Sequence, residues 1–89
     1  MLTKDEIILQ NVKAVKDKQI GFKQFARLAK EGNAKTAILA KDADLAFKEK
    51  AEQIAKECGV EVQYVNSKKS LGTASGIDVD AAIITIIKV

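Results

Sequence analysis

The sequence predicts an α/β domain in which helices cover both faces of one small sheet. Three observations carry this expectation. Helix-type and strand-type patterns alternate as α-β-α-β-α-β-α-β, and the connections between them are short. Two apolar runs, Thr36 to Ala40 and Ala81 to Ile87, have the form of buried central strands. A chain of 89 residues is expected to form a single domain over residues 1–89.

Thr3-Lys4-Asp5-Glu6 fits a capping box and opens a helix that carries Ile8, Val12 and Val15 on one side. The polar Lys16-Asp17-Lys18 ends it, and Gln19-Ile20 makes a very short strand stopping at Gly21. The second helix runs from about Phe22 to Glu31, with Phe25, Leu28 and Ala29 inward and Gly32 as its stop. After the Thr36 to Ala40 strand, Asp42 or Asp44 is placed to cap a third helix. Its apolar stripe is Phe47, Ala51, Ile54, Ala55 and Cys58, so Cys58 is expected to be a small buried hydrophobe. Gly59 closes that helix, and Val60 sits where a hydrophobic C-terminal contact forms. Val60, Val62 and Tyr64 alternate with polar residues, as in a strand with one wetter face. Ser67 caps a short helix that ends near Gly76, and the β-branched run Ala81 to Ile87 is the last strand.

Composition narrows the function. Hydrophobic residues make up 47% and charged residues 30%, which suits an ordered globular protein. One Cys cannot support a disulfide framework within the chain. The first residues lack the layout of a signal peptide, and no apolar run approaches the roughly 20 residues of a spanning helix. A cytoplasmic protein with no membrane partner is expected. Fifteen Lys and Arg against twelve Asp and Glu give +3, a mild bias compatible with a polyanion.

Catalytic chemistry has no visible apparatus. Acid–base and nucleophilic enzymes most often draw on His, an activated Cys or perturbed carboxylates, and this chain has no His. A Cys/His metal site is excluded by count. Asp42-Ala43-Asp44 resembles a calcium loop only faintly, because Ala46 and Phe47 occupy the next ligand and glycine positions. Gly32-Asn33-Ala34-Lys35-Thr36 lacks two glycines of a P-loop, at Ala29 and Ala34. No enzyme activity, cofactor or metal is expected.

Two surface segments remain. Gly21-Phe22-Lys23-Gln24-Phe25-Ala26-Arg27 is a strand-to-helix junction. Its glycine admits close backbone approach, and the helix start presents free N–H groups to an anion. Lys23 and Arg27 fall on one face with Gln24 beside them, a cationic pair where the helix dipole favours acids. The plainer reading is a solvated first turn. The second segment, Ser67 to Val79, holds two lysines, two glycines and the apolar Ile77 and Val79 flanking Asp78. Those apolar side chains either belong to the edge of the core or stand exposed to stack on unpaired bases.

The ordered set Gly21-x-Lys23-Gln24-x-x-Arg27, Ala37 to Asp44, Gly59-Val60, Tyr64-Val65, Ser67-Lys68-Lys69-x-Leu71-Gly72-x-Ala74-x-Gly76 and the apolar last strand resembles the kink-turn-binding ribosomal proteins of archaeal L7Ae and eukaryotic L30e type, with their small bacterial homologues. The similarity spans residues 5 to 88. It implies a three-layer α-β-α sandwich with a four-stranded mixed sheet, and recognition of a kink-turn: a bulged internal loop whose bend rests on tandem sheared G·A pairs. It implies that the start of the second helix, through Gly21, Lys23, Gln24 and Arg27, enters the groove at those pairs. The loop residues Ile77, Asp78 and Val79 would cover the bulged nucleotides, with Lys41, Lys68 and Lys69 as weaker candidates for backbone phosphates. The archaeal motif carries Asn and Glu where this chain has Lys23 and Gln24, a pattern like that of the bacterial homologues. Gln24 cannot match a carboxylate's charge-assisted bonds to guanine N–H groups, and Lys23 suits a phosphate or a guanine acceptor. Phe25 is expected in the core and Phe22 on the RNA face. The expected partner is structured RNA, ribosomal or regulatory, bound by a monomer; the alternative is a protein–protein adaptor on the ribosome that has lost kink-turn recognition.

Overall fold

The computed structural model describes residues 2–76 and 79–88. Eight elements follow one another: α1 (Lys4–Ala14), β1 (Lys18–Ile20), α2 (Phe22–Lys30), β2 (Ala34–Ala40), α3 (Leu45–Cys58), β3 (Glu61–Val65), α4 (Lys68–Ala74) and β4 (Ile83–Ile87). The strands form one sheet in the order β1-β4-β2-β3. β2 and β3 run parallel, while β4 pairs antiparallel with both β1 and β2. This is the expected three-layer sandwich around a four-stranded mixed sheet.

The layers follow from the period of two along the strands. Ala37 and Leu39 of β2 and Ile83 of β4 point to one face, where they meet Phe25, Leu28 and Ala29 of α2 and Ala51 and Ala55 of α3. Ile38, Ala40 and Ile84 point to the other, under Ile8 and Val12 of α1 and Leu71 and Ala74 of α4. β2 and β4 are the inner strands, which explains their nearly unbroken apolar sequence. Thr85 of β4 is fully buried in that sheet, and its hydroxyl has no hydrogen-bond partner.

The helix ends show how local sequence sets the frame. Thr3 accepts from Glu6 N at 3.1 Å while Glu6 Oε1 accepts from Thr3 N at 3.4 Å, the reciprocal box read from the sequence. Val15, expected inward, instead ends α1 in extended backbone and is half-buried. At the end of α3, Gly59 adopts φ 70° and Val60 N donates to Ala55 O at 2.8 Å, a Schellman closure that turns Val60 into the core.

That closure corrects the expectation for Cys58, which is exposed. Helical periodicity assigns it to the inward stripe, but the stripe is buried only while a strand lies beneath it. In the last turn of α3 the buried place is taken by Val60, after the chain has reversed.

Candidate nucleic-acid interface

One end of the sheet gathers segments that are far apart in sequence. β1 runs directly into α2 at Gly21, whose N–H donates to Ile83 O at 3.2 Å. Ala40 N donates to Ala82 O at 3.0 Å, and Lys41 N to Val65 O at 2.8 Å. Lys68 N donates to Asp42 Oδ1 at 2.9 Å, and Ala81 N to Lys68 O at 3.1 Å. The start of α2, the turn after β2, the start of α4 and the segment entering β4 therefore share one end of the molecule.

Gly21 takes φ 110° and ψ 155°, a backbone region that a side chain rarely adopts. Space beside its α-carbon is open, with nothing within 4 Å of where a Cβ would stand. The first turn of α2 has no side-chain cap and no acidic residue. Lys23 and Arg27 are exposed and Gln24 is half-buried. Lys23 sets positive charge at the positive end of the helix dipole, an arrangement that an anion would relieve, while Arg27 lies in the last turn of this short helix. Arg27 Nη2 donates to Gln24 Oε1 at 2.7 Å, and Arg27 Nη1 lies 4.0 Å from Glu31 Oε1. The Arg27–Glu31 pair is well exposed and adds little to stability.

Lys41 and Lys68 join this end through their backbone bonds. Lys69 does not. One helical residue further on, it lines a groove between α1 and α4 with Leu9 and Lys13, on the sheet face opposite α2. Val79 is 68% exposed, so the alternative that it belongs to the core edge does not hold. Ile77 and Asp78 lie outside the described residues.

Two expectations need correction. Phe22 does not simply stand out from the surface: its half-buried ring meets Phe25 edge-on at 6.1 Å and Phe47 at 5.3 Å, pinning the start of α2 to α3. An apolar slot between two helices claims an aromatic ring before solvent or a ligand can. Asp44 occupies the N-cap position of α3 without a side-chain bond there, whereas Asp42 caps α4 across the chain.

Asp42 is thus a structural clamp of the site that the sequence did not disclose, because its partner is remote. Asp5 is another: its Oδ2 accepts from Asn66 N at 2.7 Å, tying α1 to the end of β3. Gly72 is a third. A Cβ there would collide with the Val79 carbonyl oxygen and stand 3.3 Å from Ala81 N, so only glycine lets the segment entering β4 lie directly on α4. The run of small residues in α4 was the available signal. Among the described residues no cluster of metal ligands occurs, and no helix is long and apolar enough to cross a membrane.

Comparison with known proteins identifies the family and the fold. The model of the ribosomal protein L7Ae/L30e/S12e/Gadd45 family matches residues 6–89. The chain is 45% identical over 83 residues to the RNA-binding protein YbxF of Geobacillus stearothermophilus, covering 93% of this chain and 96% of that one. It is 43% identical over 83 residues to an RNA-binding protein of Geobacillus sp. strain WCH70, with the same 93% and 96% coverage. Among solved structures, the Giardia lamblia 15.5kD RNA binding protein superposes with a TM-score of 0.80 at 22% identity, covering 92% of this chain and 69% of that one. That last likeness speaks to the fold alone.

Proposed function

The chain belongs to the ribosomal protein L7Ae/L30e/S12e/Gadd45 family and is an RNA-binding protein, and from that premise we propose that the RNA it grips is a kink-turn. The observation that carries this reading is the junction of the uncapped α2 start with the segment entering β4, tied by Gly21 N to Ile83 O at 3.2 Å. A helix start open to phosphate and the exposed apolar side chain of Val79 suit RNA that is recognised by shape and by contact with unpaired bases.

In this reading Gly21 lets the RNA backbone approach the first turn of α2, whose amides and Lys23 receive phosphate oxygens. Gln24 and Arg27 face the sheared G·A pairs. Val79, with Ile77 and Asp78, covers the bulged nucleotides, while Lys41 and Lys68 hold flanking phosphates. The protein works as a monomer in the cytoplasm, on ribosomal or regulatory RNA.

The test is a titration of a kink-turn duplex beside a control whose tandem G·A pairs are changed to Watson–Crick pairs. Tight binding to the first and weak binding to the second is expected. The double variant Lys23→Ala, Arg27→Ala should weaken binding and lower the slope of log affinity against log salt by roughly one to two. Equal binding to both RNAs would reduce the interaction to charge alone. Binding to neither would favour the protein–protein adaptor.

A further inference from the structure

Gln24 is held by its neighbour on α2. Arg27 Nη2 donates to Gln24 Oε1 at 2.7 Å, and Arg27 Nη1 lies 4.0 Å from Glu31. A guanidinium carries donors only, so the amide must turn its oxygen toward Arg27 and its NH2 away. Arg27 follows Gln24 by one helical turn, and with Oε1 committed to it the NH2 is the part of the amide left free for another partner.

We propose that Arg27 is a positioning residue that makes Gln24 present its amide NH2 to the RNA, so that this helix reads an acceptor on a base edge. The proposal rests on the kink-turn reading above. A carboxylate in the same place offers acceptors only and would read guanine N–H groups. Here the first-turn amides, the Lys23 ammonium and the Gln24 NH2 are all donors, and guanine O6 and N7 are the complementary atoms. Replacement of a carboxylate by an amide is then a change of reading polarity rather than a weakened copy.

The experiment titrates the wild type, Gln24→Glu and Gln24→Leu with three kinds of RNA: the kink-turn duplex, the Watson–Crick control, and the kink-turn carrying 2-aminopurine for each sheared-pair guanine in turn. 2-Aminopurine keeps the N2 amino group and N3 that form the sheared pair, lacks O6, and turns N1 from a donor into an acceptor. A donor on the O6/N7 edge keeps N7, whereas an acceptor bonded to N1–H loses that donor and meets a lone pair in its place. The wild type is expected to bind both substituted RNAs within about threefold of the parent. Gln24→Glu should lose about tenfold at one of the two positions, and Gln24→Leu about tenfold on parent and substituted RNA alike.

A tenfold loss by the wild type on 2-aminopurine RNA, with preference for the kink-turn over the control intact, overturns the amide assignment and leaves the kink-turn reading standing. A Gln24→Leu variant that binds like the wild type, or a Gln24→Glu variant indifferent to 2-aminopurine, does the same. No preference for the kink-turn over the control overturns both. The role of Arg27 is read in the free protein: the NMR order parameter of the Gln24 side-chain amide should exceed that of the exposed Gln10 and fall to its level in Arg27→Ala. Equal values in wild type and Arg27→Ala overturn the positioning role.

Discussion

Replacing Gly72 by alanine sets helix propensity against packing, and the structure says which wins. Alanine is favoured over glycine inside a helix by about 1 kcal/mol. Against that, the added Cβ meets the Val79 carbonyl oxygen and stands 3.1 Å from Val79 C and 3.3 Å from Ala81 N. All three atoms are backbone, so no flexible side-chain tip can move aside. Overpacking of this kind costs about 1–3 kcal/mol. Lifting the segment also strains the Ala81 N to Lys68 O bond of 3.1 Å, worth about 1 kcal/mol. Gly72→Ala should therefore be destabilised by about 1–3 kcal/mol net, with the melting temperature lowered by about 4–8 °C for each kcal/mol. Urea unfolding measures it, with Thr73→Ala, an exposed position in the same helix, as the control. An unfolding midpoint for Gly72→Ala at or above that of the wild type would refute the packing argument.

Other expectations follow from single features. Thr85→Val removes a buried hydroxyl without a partner and keeps the shape, so it should stabilise by about 1 kcal/mol in the same unfolding assay; a destabilised variant would mean that the hydroxyl is bonded. Cys58 should react with a thiol reagent in the folded protein as fast as in denaturant, and Cys58→Ser should unfold with the wild type; slow labelling would contradict its exposure. Burial, helped by the neighbouring Glu52 carboxylate, pushes the Tyr64 phenol up from 10.0 to about 12. Its raised pKa means that the neutral phenol is favoured in the fold, so this contribution to stability is complete below pH 10 and is lost as pH rises towards 12. Alkaline titration of the ultraviolet phenolate band checks it, and a midpoint at the unfolded value would refute it.

Local chemistry was legible in the sequence where its partners are local. The Thr3–Glu6 box, the Gly59 turn and the Ser67 cap each involve residues a turn apart, and all three are present. The inner strands announced themselves by unbroken apolarity, since burial on two faces leaves no polar position to alternate. Gly21, Lys23, Gln24 and Arg27 could be grouped from spacing because one short helix and the glycine before it carry them. What spacing could not show was the third dimension. Cys58 obeys the helical period yet lies past the place where the core closes, and Phe22 is drawn toward Phe47 from another helix. The Asp42 cap on α4 and the Gly72 contact with Val79 depend on how distant segments dock, for which the residue types alone give no distance.

The strand order also sets a timetable for synthesis. β1 and β2 do not pair with each other; each is zipped to β4, so Lys18 waits for Ile86 and Ala37 for Thr85. A nascent chain that has emerged only through α4 holds β2 and β3 side by side but leaves β1, and with it the anchor of α2 at Gly21, without a neighbour. RNA-binding competence should therefore arise late and all at once, when residues 83–87 slide between two strands already made.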